Sequence, residues 1–214
     1  MAENLWVGLV AGVVLAGGAS LRMGQPKGLL AFRGRALAAR AIDRLRPQAT
    51  RVYLSVREAG ADWAALGAPL AVDAAAQGGA GPLAGIASAL RLAQADGFAF
   101  IVTAPCDAPF LPRDLVARLL RAGADAAIAR SPSGVEPMFA LWPVSARGRV
   151  EAALAQGRGS PRVLLAALGA AEVEFAAAAF VNLNTPQEFA DAEAGVDLLE
   201  GEERVPARPE GVTE

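Results

Sequence analysis

The 214-residue chain has no histidine, one cysteine and one lysine. Each scarcity removes a class of chemistry. Without imidazole there is no Ser-His-Asp triad, no Cys-His pair and no histidine-ligated zinc or haem. Cys106 stands alone, which excludes an internal disulfide and a multi-cysteine metal cluster. Any metal must then be a hard ion held by carboxylates, which points to Mg²⁺ or Mn²⁺. Acid–base work falls to Asp, Glu, Lys or Tyr. The formal net charge is −2 and no stretch clusters basic residues beside aromatics, so no nucleic-acid partner is expected. The uncharged run from Leu5 to Leu21 is short for a membrane helix, is broken by glycines, and has Glu3 rather than a basic residue before it. A soluble cytoplasmic protein with no membrane partner is the expectation.

What is present is equally biased. Alanine fills 51 positions, and nineteen of the twenty basic residues are arginine, so Lys27 stands against the composition. The length suits one domain. Apolar runs of strand length alternate with helix-period segments. Strands are expected over 12–16, 51–56, 70–73, 98–103, 124–129 and 137–142. Helices are expected over 36–45, 82–95, from Pro112, around 145–155 and 161–168, and near 187–194. This βαβ alternation predicts a Rossmann-like, three-layer α/β/α fold with a mostly parallel central sheet. Residues 1–196 would form the single domain. The tail 197–214 should be disordered, because residues 200–214 carry five Glu against two Arg, with two prolines and two glycines.

In a parallel sheet, ligands bind beyond the carboxyl ends of the strands. Two unusual segments begin there, residues 15–27 and 103–110. The first reads Leu15-Ala-Gly-Gly-Ala-Ser-Leu-Arg-Met-Gly-Gln-Pro-Lys27. Gly17 and Gly18 would let backbone N–H groups approach a phosphate, while Ser20 adds a hydroxyl and Arg22 and Lys27 two cations. The string is neither a Walker A loop nor a Gly-x-Gly-x-x-Gly fingerprint. The plain alternative is a tight turn with solvated charges. The second segment, Thr103-Ala-Pro-Cys-Asp-Ala-Pro-Phe110, holds Asp107 between two prolines. A carboxylate fixed there suits Mg²⁺ held between protein and phosphate oxygens.

These segments resemble the nucleotidyltransferases that build molybdenum cofactor dinucleotides, above all the molybdenum cofactor guanylyltransferase family, of glycosyltransferase-A-like fold. The likeness runs in order from about residue 12 to 194. It implies transfer of GMP from GTP to molybdenum-bound molybdopterin. It also implies nucleotide contacts at Leu15, Ala16, Gly17, Gly18, Lys27, Ser55, Asp73 and Asp107, with Asp107 the metal ligand and Arg22, Lys27 and Asp107 catalytic. Asn182 and Asn184, within Asn182-Leu-Asn-Thr-Pro186, would bind the pterin. Arg162, after Gly159-Ser-Pro161, is a further pterin-binding candidate as a cation for an anionic substrate, with a plain surface arginine the alternative. Thr185 also reads as the cap of the last helix. Transient contact with molybdopterin-handling proteins or target molybdoenzymes would follow. Gly81-Pro-Leu-Ala-Gly85 matches as well, although its glycines would equally serve close helix packing. Two positions depart from the pattern: Ser55 replaces a common asparagine, and Glu136 precedes Pro137 where His-Pro is frequent. A cytidylyltransferase, a sugar-1-phosphate nucleotidylyltransferase and a non-catalytic nucleotide-binding module are the competing readings.

Overall fold

The computed structural model describes residues 9–18, 21–22, 25–73 and 81–201, without the side chains of 21, 22, 25, 186 and 195–201. Strands β1 (Val10–Leu15), β2 (Arg51–Val56), β3 (Leu70–Val72), β4 (Phe100–Pro105), β5 (Ala127–Ser131), β6 (Gly134–Pro143) and β7 (Ala171–Glu174) form one sheet in the order β7-β5-β6-β4-β1-β2-β3. Every neighbouring pair is parallel except those made by β6, which runs against both β4 and β5.

The strands are continuously apolar because both faces of the sheet are covered. Alternation along β1 shows this. Val10 and Val14 join a core with helices α1 (Leu37–Leu45) and α4 (Leu115–Arg121), and Ala11, Val13 and Leu15 face α3 (Pro82–Ala95) on the other side. Helix α1 is amphipathic, burying Leu37, Ala38, Ala41, Ile42 and Leu45. Helix α3 is buried along most of its length, and its alanines let it lie close to the sheet. Gly85 marks the tightest approach, since a Cβ there would collide with Ser55 Oγ. The packing role foreseen for this glycine is thereby met.

Several boundaries differ from the sequence expectation. The first and fourth strands are displaced by one or two residues. The helix expected from Pro112 starts at Leu115, with 112–114 in turns and loop. Strand β7 and the short helix α2 (Ala61–Ala64) were not foreseen, and the strand expected at 137–142 begins at Gly134, as half of a hairpin with β5. Helices α5 (Arg147–Ala155) and α6 (Pro161–Ala167) fall where expected. Helix α7 (Pro186–Gly201) runs past both the span near 187–194 and the boundary at 196. The rest of the expected tail, 202–214, lies outside the described residues.

A third, small core ties α7 to the start of α1, the segment before it and the loop after β4. Leu30, Phe32, Leu37, Phe110, Leu183 and Ala192 are buried together, with Phe189 packed against them. Phe32 meets Phe110 and Phe189 edge to face, at centroid separations of 6.0 and 6.1 Å. The Arg33-Gly34 turn adds a second tie, because the Arg33 guanidinium donates to the Glu193 carbonyl at 3.0 Å. These contacts carry residues 182–185 to the loops that follow β1 and β4.

Candidate active site

At the carboxyl edge of the sheet lies a cleft of about 500 Å³. Leu15, Gly17 and Gly18 line it from the end of β1, Ser55 and Arg57 from β2, Asp73 from β3, and Pro105 and Asp107 from β4. Glu136, Met138 and Phe139 of β6 and Asn182 complete the far side. Ala16 is held by its backbone, whose N–H donates to the Ser55 carbonyl at 2.8 Å.

Lys27 opens a short 3₁₀ turn, Lys27–Leu29, directly after Pro26. The next residue makes that position possible. A Cβ at Gly28 would stand 3.1 Å from Trp63 Cη2 and 3.3 Å from Cys106 Sγ, closer than ordinary carbon contacts. Glycine therefore lets this turn seat on Trp63 and Cys106. There the Lys27 ammonium pairs with Asp107 Oδ2 and donates to Asn184 Oδ1 at 2.7 Å. Three segments remote in sequence thus converge on one cation. Lys27 and Asp107 are 12% and 20% exposed, which shields the pair from water without sealing it from a ligand.

The Asn184 side is built by the start of α7. The Leu183 N–H donates to the Asp107 carbonyl at 3.0 Å. Thr185 and Glu188 form a reciprocal capping box: the Glu188 N–H donates to Thr185 Oγ1 at 3.2 Å, and the Thr185 N–H to Glu188 Oε2 at 2.9 Å. The Asn184 N–H also donates to that carboxylate. The cap foreseen at Thr185 is therefore formed, with Glu188 as its partner. The signal for Glu188 was the Thr-x-x-Glu spacing itself.

Asp73 occupies the opposite end of the cleft. Its N–H donates to the Val56 carbonyl at 3.0 Å, and a Cβ built on Gly17 would sit 3.4 Å from its Oδ2. Oδ1 is buried and has no hydrogen-bond partner among the described residues. Burial pushes the carboxyl up from 3.8 to about 6, opposed by the nearby Arg57 guanidinium. A half-buried carboxylate with an empty acceptor is arranged for a donor brought by a ligand. Arg57 was missed by the sequence reading, although a charged residue immediately after a parallel strand was its signal. Cys106 is a packed thiol: it is buried, and desolvation followed by the neighbouring Asp107 pushes it up to about 12.

Arg162 is exposed on the first turn of α6 and is not among the residues lining the cleft. The preceding loop does approach the rim, since the Gly159 carbonyl is 3.9 Å from where a Gly81 Cβ would stand. Ser20 and the Arg22 side chain lie outside the described residues.

Among the described residues no group of three carboxylate or thiol ligands could enclose a metal ion. The donor set nevertheless fits a hard divalent cation of the magnesium type, which commonly takes one or two protein carboxylates and completes its shell with phosphate oxygens and water. Asp107 is placed for that.

A glycine-lined turn after β1, a lysine paired with an aspartate after β4, and a mostly parallel sheet presenting both to one cleft define a nucleotidyltransferase. The chain belongs to the MobA-like NTP transferase family, which matches it over residues 12–173. The molybdenum cofactor guanylyltransferase of Rhizobium meliloti (strain 1021) is 38% identical over 205 residues, 89% of this chain and 94% of the relative. Among solved structures, molybdopterin-guanine dinucleotide biosynthesis protein A from Archaeoglobus fulgidus superposes with a TM-score of 0.68 at 26% identity, covering 88% of this chain and 99% of that one. Rv0371C of Mycobacterium tuberculosis H37Rv, solved in complex with manganese, shares the fold with a TM-score of 0.62 at 20% identity, over 88% and 99% of the two chains.

Proposed function

We propose that this chain transfers GMP from GTP to the terminal phosphate of molybdenum-bound molybdopterin, forming the guanine dinucleotide cofactor and releasing pyrophosphate. The observation that carries the reading is the Lys27–Asp107 pair, joined across 80 residues beside the Gly17-Gly18 turn. The guanylyltransferase relative supports the choice of substrates.

The acceptor's phosphate oxygen attacks the α-phosphorus of GTP in line, and the bond to the bridging oxygen of pyrophosphate breaks. A phosphate monoester has a second pKa of about 6, so the nucleophile arrives largely ionised at neutral pH and needs no strong base. A chain without histidine can run such a reaction. Its own work is positioning and charge neutralisation. Backbone N–H groups at Gly17 and Gly18 approach the phosphates. Lys27 supplies a compact positive charge to the transferring and leaving groups, and Arg22 assists. Leu15, Ala16, Ser55 and Asp73 form the nucleotide side; Asn182 serves the acceptor side, and Arg162, outside the cleft lining, would meet only an acceptor that extends past the rim. Asn184 acts there through the lysine it holds. Asp107 would hold Mg²⁺, with Mn²⁺ a substitute, and that ion would neutralise phosphate charge.

Residues 1–196, with the remainder of α7 to Gly201, form one nucleotidyltransferase domain on this reading. The enzyme works in the cytoplasm and meets molybdopterin-handling proteins or target molybdoenzymes only transiently. No described helix is long and apolar enough to cross a membrane. The direct test is pyrophosphate release with Mg²⁺ and molybdopterin, run with GTP beside CTP. Release with GTP is expected, and release with CTP alone would overturn the guanylyl assignment.

A further inference from the structure

The strand order divides the cleft into two sides. Asp107 follows β4, and Asp73, at the end of β3, lies three strands away on one side. Glu136 lies on β6, the next strand on the other side. At about 4.8 Å per strand, the four steps from β3 to β6 span roughly 19 Å of sheet edge. Both carboxylates line the same cleft, with the phosphate-handling group between them.

Glu136 reaches this edge because β6 is antiparallel. Ala140 is opposite Thr103 of β4, so the residues before Ala140 lie beside the carboxyl end of β4. The ladder to β5 is irregular between Glu136 and Ala140, and the stretch between them carries the cleft residues Met138 and Phe139. Glu136 is also held in place. Its Oε1 accepts from Ser131 Oγ at 2.8 Å, and its other oxygen has no hydrogen-bond or ion-pair partner among the described residues. A partly buried carboxylate, steadied through one oxygen beside a thioether and an aromatic ring, suits a flat heterocycle that presents N–H donors.

We infer that Glu136 is a specificity residue for the acceptor, accepting from the adjacent ring N–H and exocyclic amino group of its 2-amino-4-oxo-pyrimidine edge. The inference rests on the proposed pterin acceptor. A carboxylate is acceptor-only and can take both donors side by side. It discriminates against a 2,4-dioxo edge, which sets a carbonyl oxygen against one carboxylate oxygen.

The test uses the intact protein and two stable probes, pterin-6-carboxylate and its 2,4-dioxo counterpart lumazine-6-carboxylate, with affinities read from fluorescence titration. Wild type should prefer the pterin by about ten-fold or more, the worth of a charge-assisted hydrogen bond. In Glu136→Gln the amide oxygen can still accept from Ser131, so the fold should hold, as thermal unfolding would verify. That amide presents one donor and one acceptor, which complements the dioxo edge, so the preference should vanish or reverse. An unchanged preference, or a wild type that binds neither probe or both alike, would overturn the inference. So would an equal loss of GTP affinity in Glu136→Gln, which would assign the residue to the nucleotide. If the preference depends on Glu136 but no GTP binds, the proposed donor falls and this inference stands.

Discussion

Asp73→Asn offers a quantitative test of the nucleotide side. The folded-state pKa of Asp73 lies near 6 against an ordinary 3.8, with burial the larger cause and Arg57 opposing it. Because the folded value is the higher one, the native chain holds this proton longer than the unfolded chain. Stability therefore declines as pH rises from about 4 to about 6, and stays lowered above that. At 1.36 kcal/mol per pH unit the gap corresponds to about 3 kcal/mol. Asp73 is only half-buried, and solvent screening reduces this to roughly 1 kcal/mol. Asparagine keeps the shape and removes the charge. Urea unfolding of both proteins at pH 4 and pH 8 gives two stability differences, and pH-independent costs of the buried amide cancel between them. The variant should gain roughly 1 kcal/mol on wild type between pH 4 and pH 8. Its affinity for GTP should fall, because Oδ1 would no longer be a charged acceptor. Parallel stability curves across that range would refute the buried, unpartnered carboxylate.

Four further substitutions bear on the centre. Lys27→Arg should lose most turnover while the fold survives, because a planar guanidinium does not fit where a point charge sits between Asp107 and Asn184; near-wild-type kcat in a pyrophosphate assay would refute this. Asp107→Asn should abolish Mg²⁺-dependent turnover, and an unchanged metal titration would remove Asp107 as ligand. Asn184→Ala should lower kcat about ten-fold, roughly one hydrogen bond to a charged group, with little change in acceptor KM; a rise in acceptor KM alone would assign the amide to the pterin instead. Gly28→Ala should destabilise by about 1–3 kcal/mol through overpacking against Trp63 and Cys106, seen as a lower urea midpoint.

The strand–helix alternation was legible because parallel strands buried on both faces read as continuous apolar runs, as in Val10–Leu15 and Phe100–Pro105. Strand β7 was not, since Ala171-Glu-Val-Glu174 is short and half charged, an edge strand held by backbone pairing to β5. The β5–β6 hairpin turns at Pro132-Ser133, which gave a weak signal beside the βαβ pattern. In the site, Gly17, Gly18, Lys27 and Asp107 stood out because their neighbours are unusual in sequence. Arg57 and the role of Glu136 did not, because each depends on a partner or a cleft that only folding assembles.

By itself, the sequence determined which chemistry was available: no imidazole, one thiol, one lysine, and carboxylates and glycines at strand ends. These follow from residue identity, which folding does not alter. Tertiary structure alone decided that Lys27 meets both Asp107, 80 residues on, and Asn184, 157 residues on. It also decided that Cys106 is packing, that Asp73 keeps an empty acceptor, and that an antiparallel β6 brings Glu136 to the cleft. The physical reason is the same in each case. Charge, burial and hydrogen bonding act over a few ångströms of space, and sheet order, not chain order, sets which groups share that space.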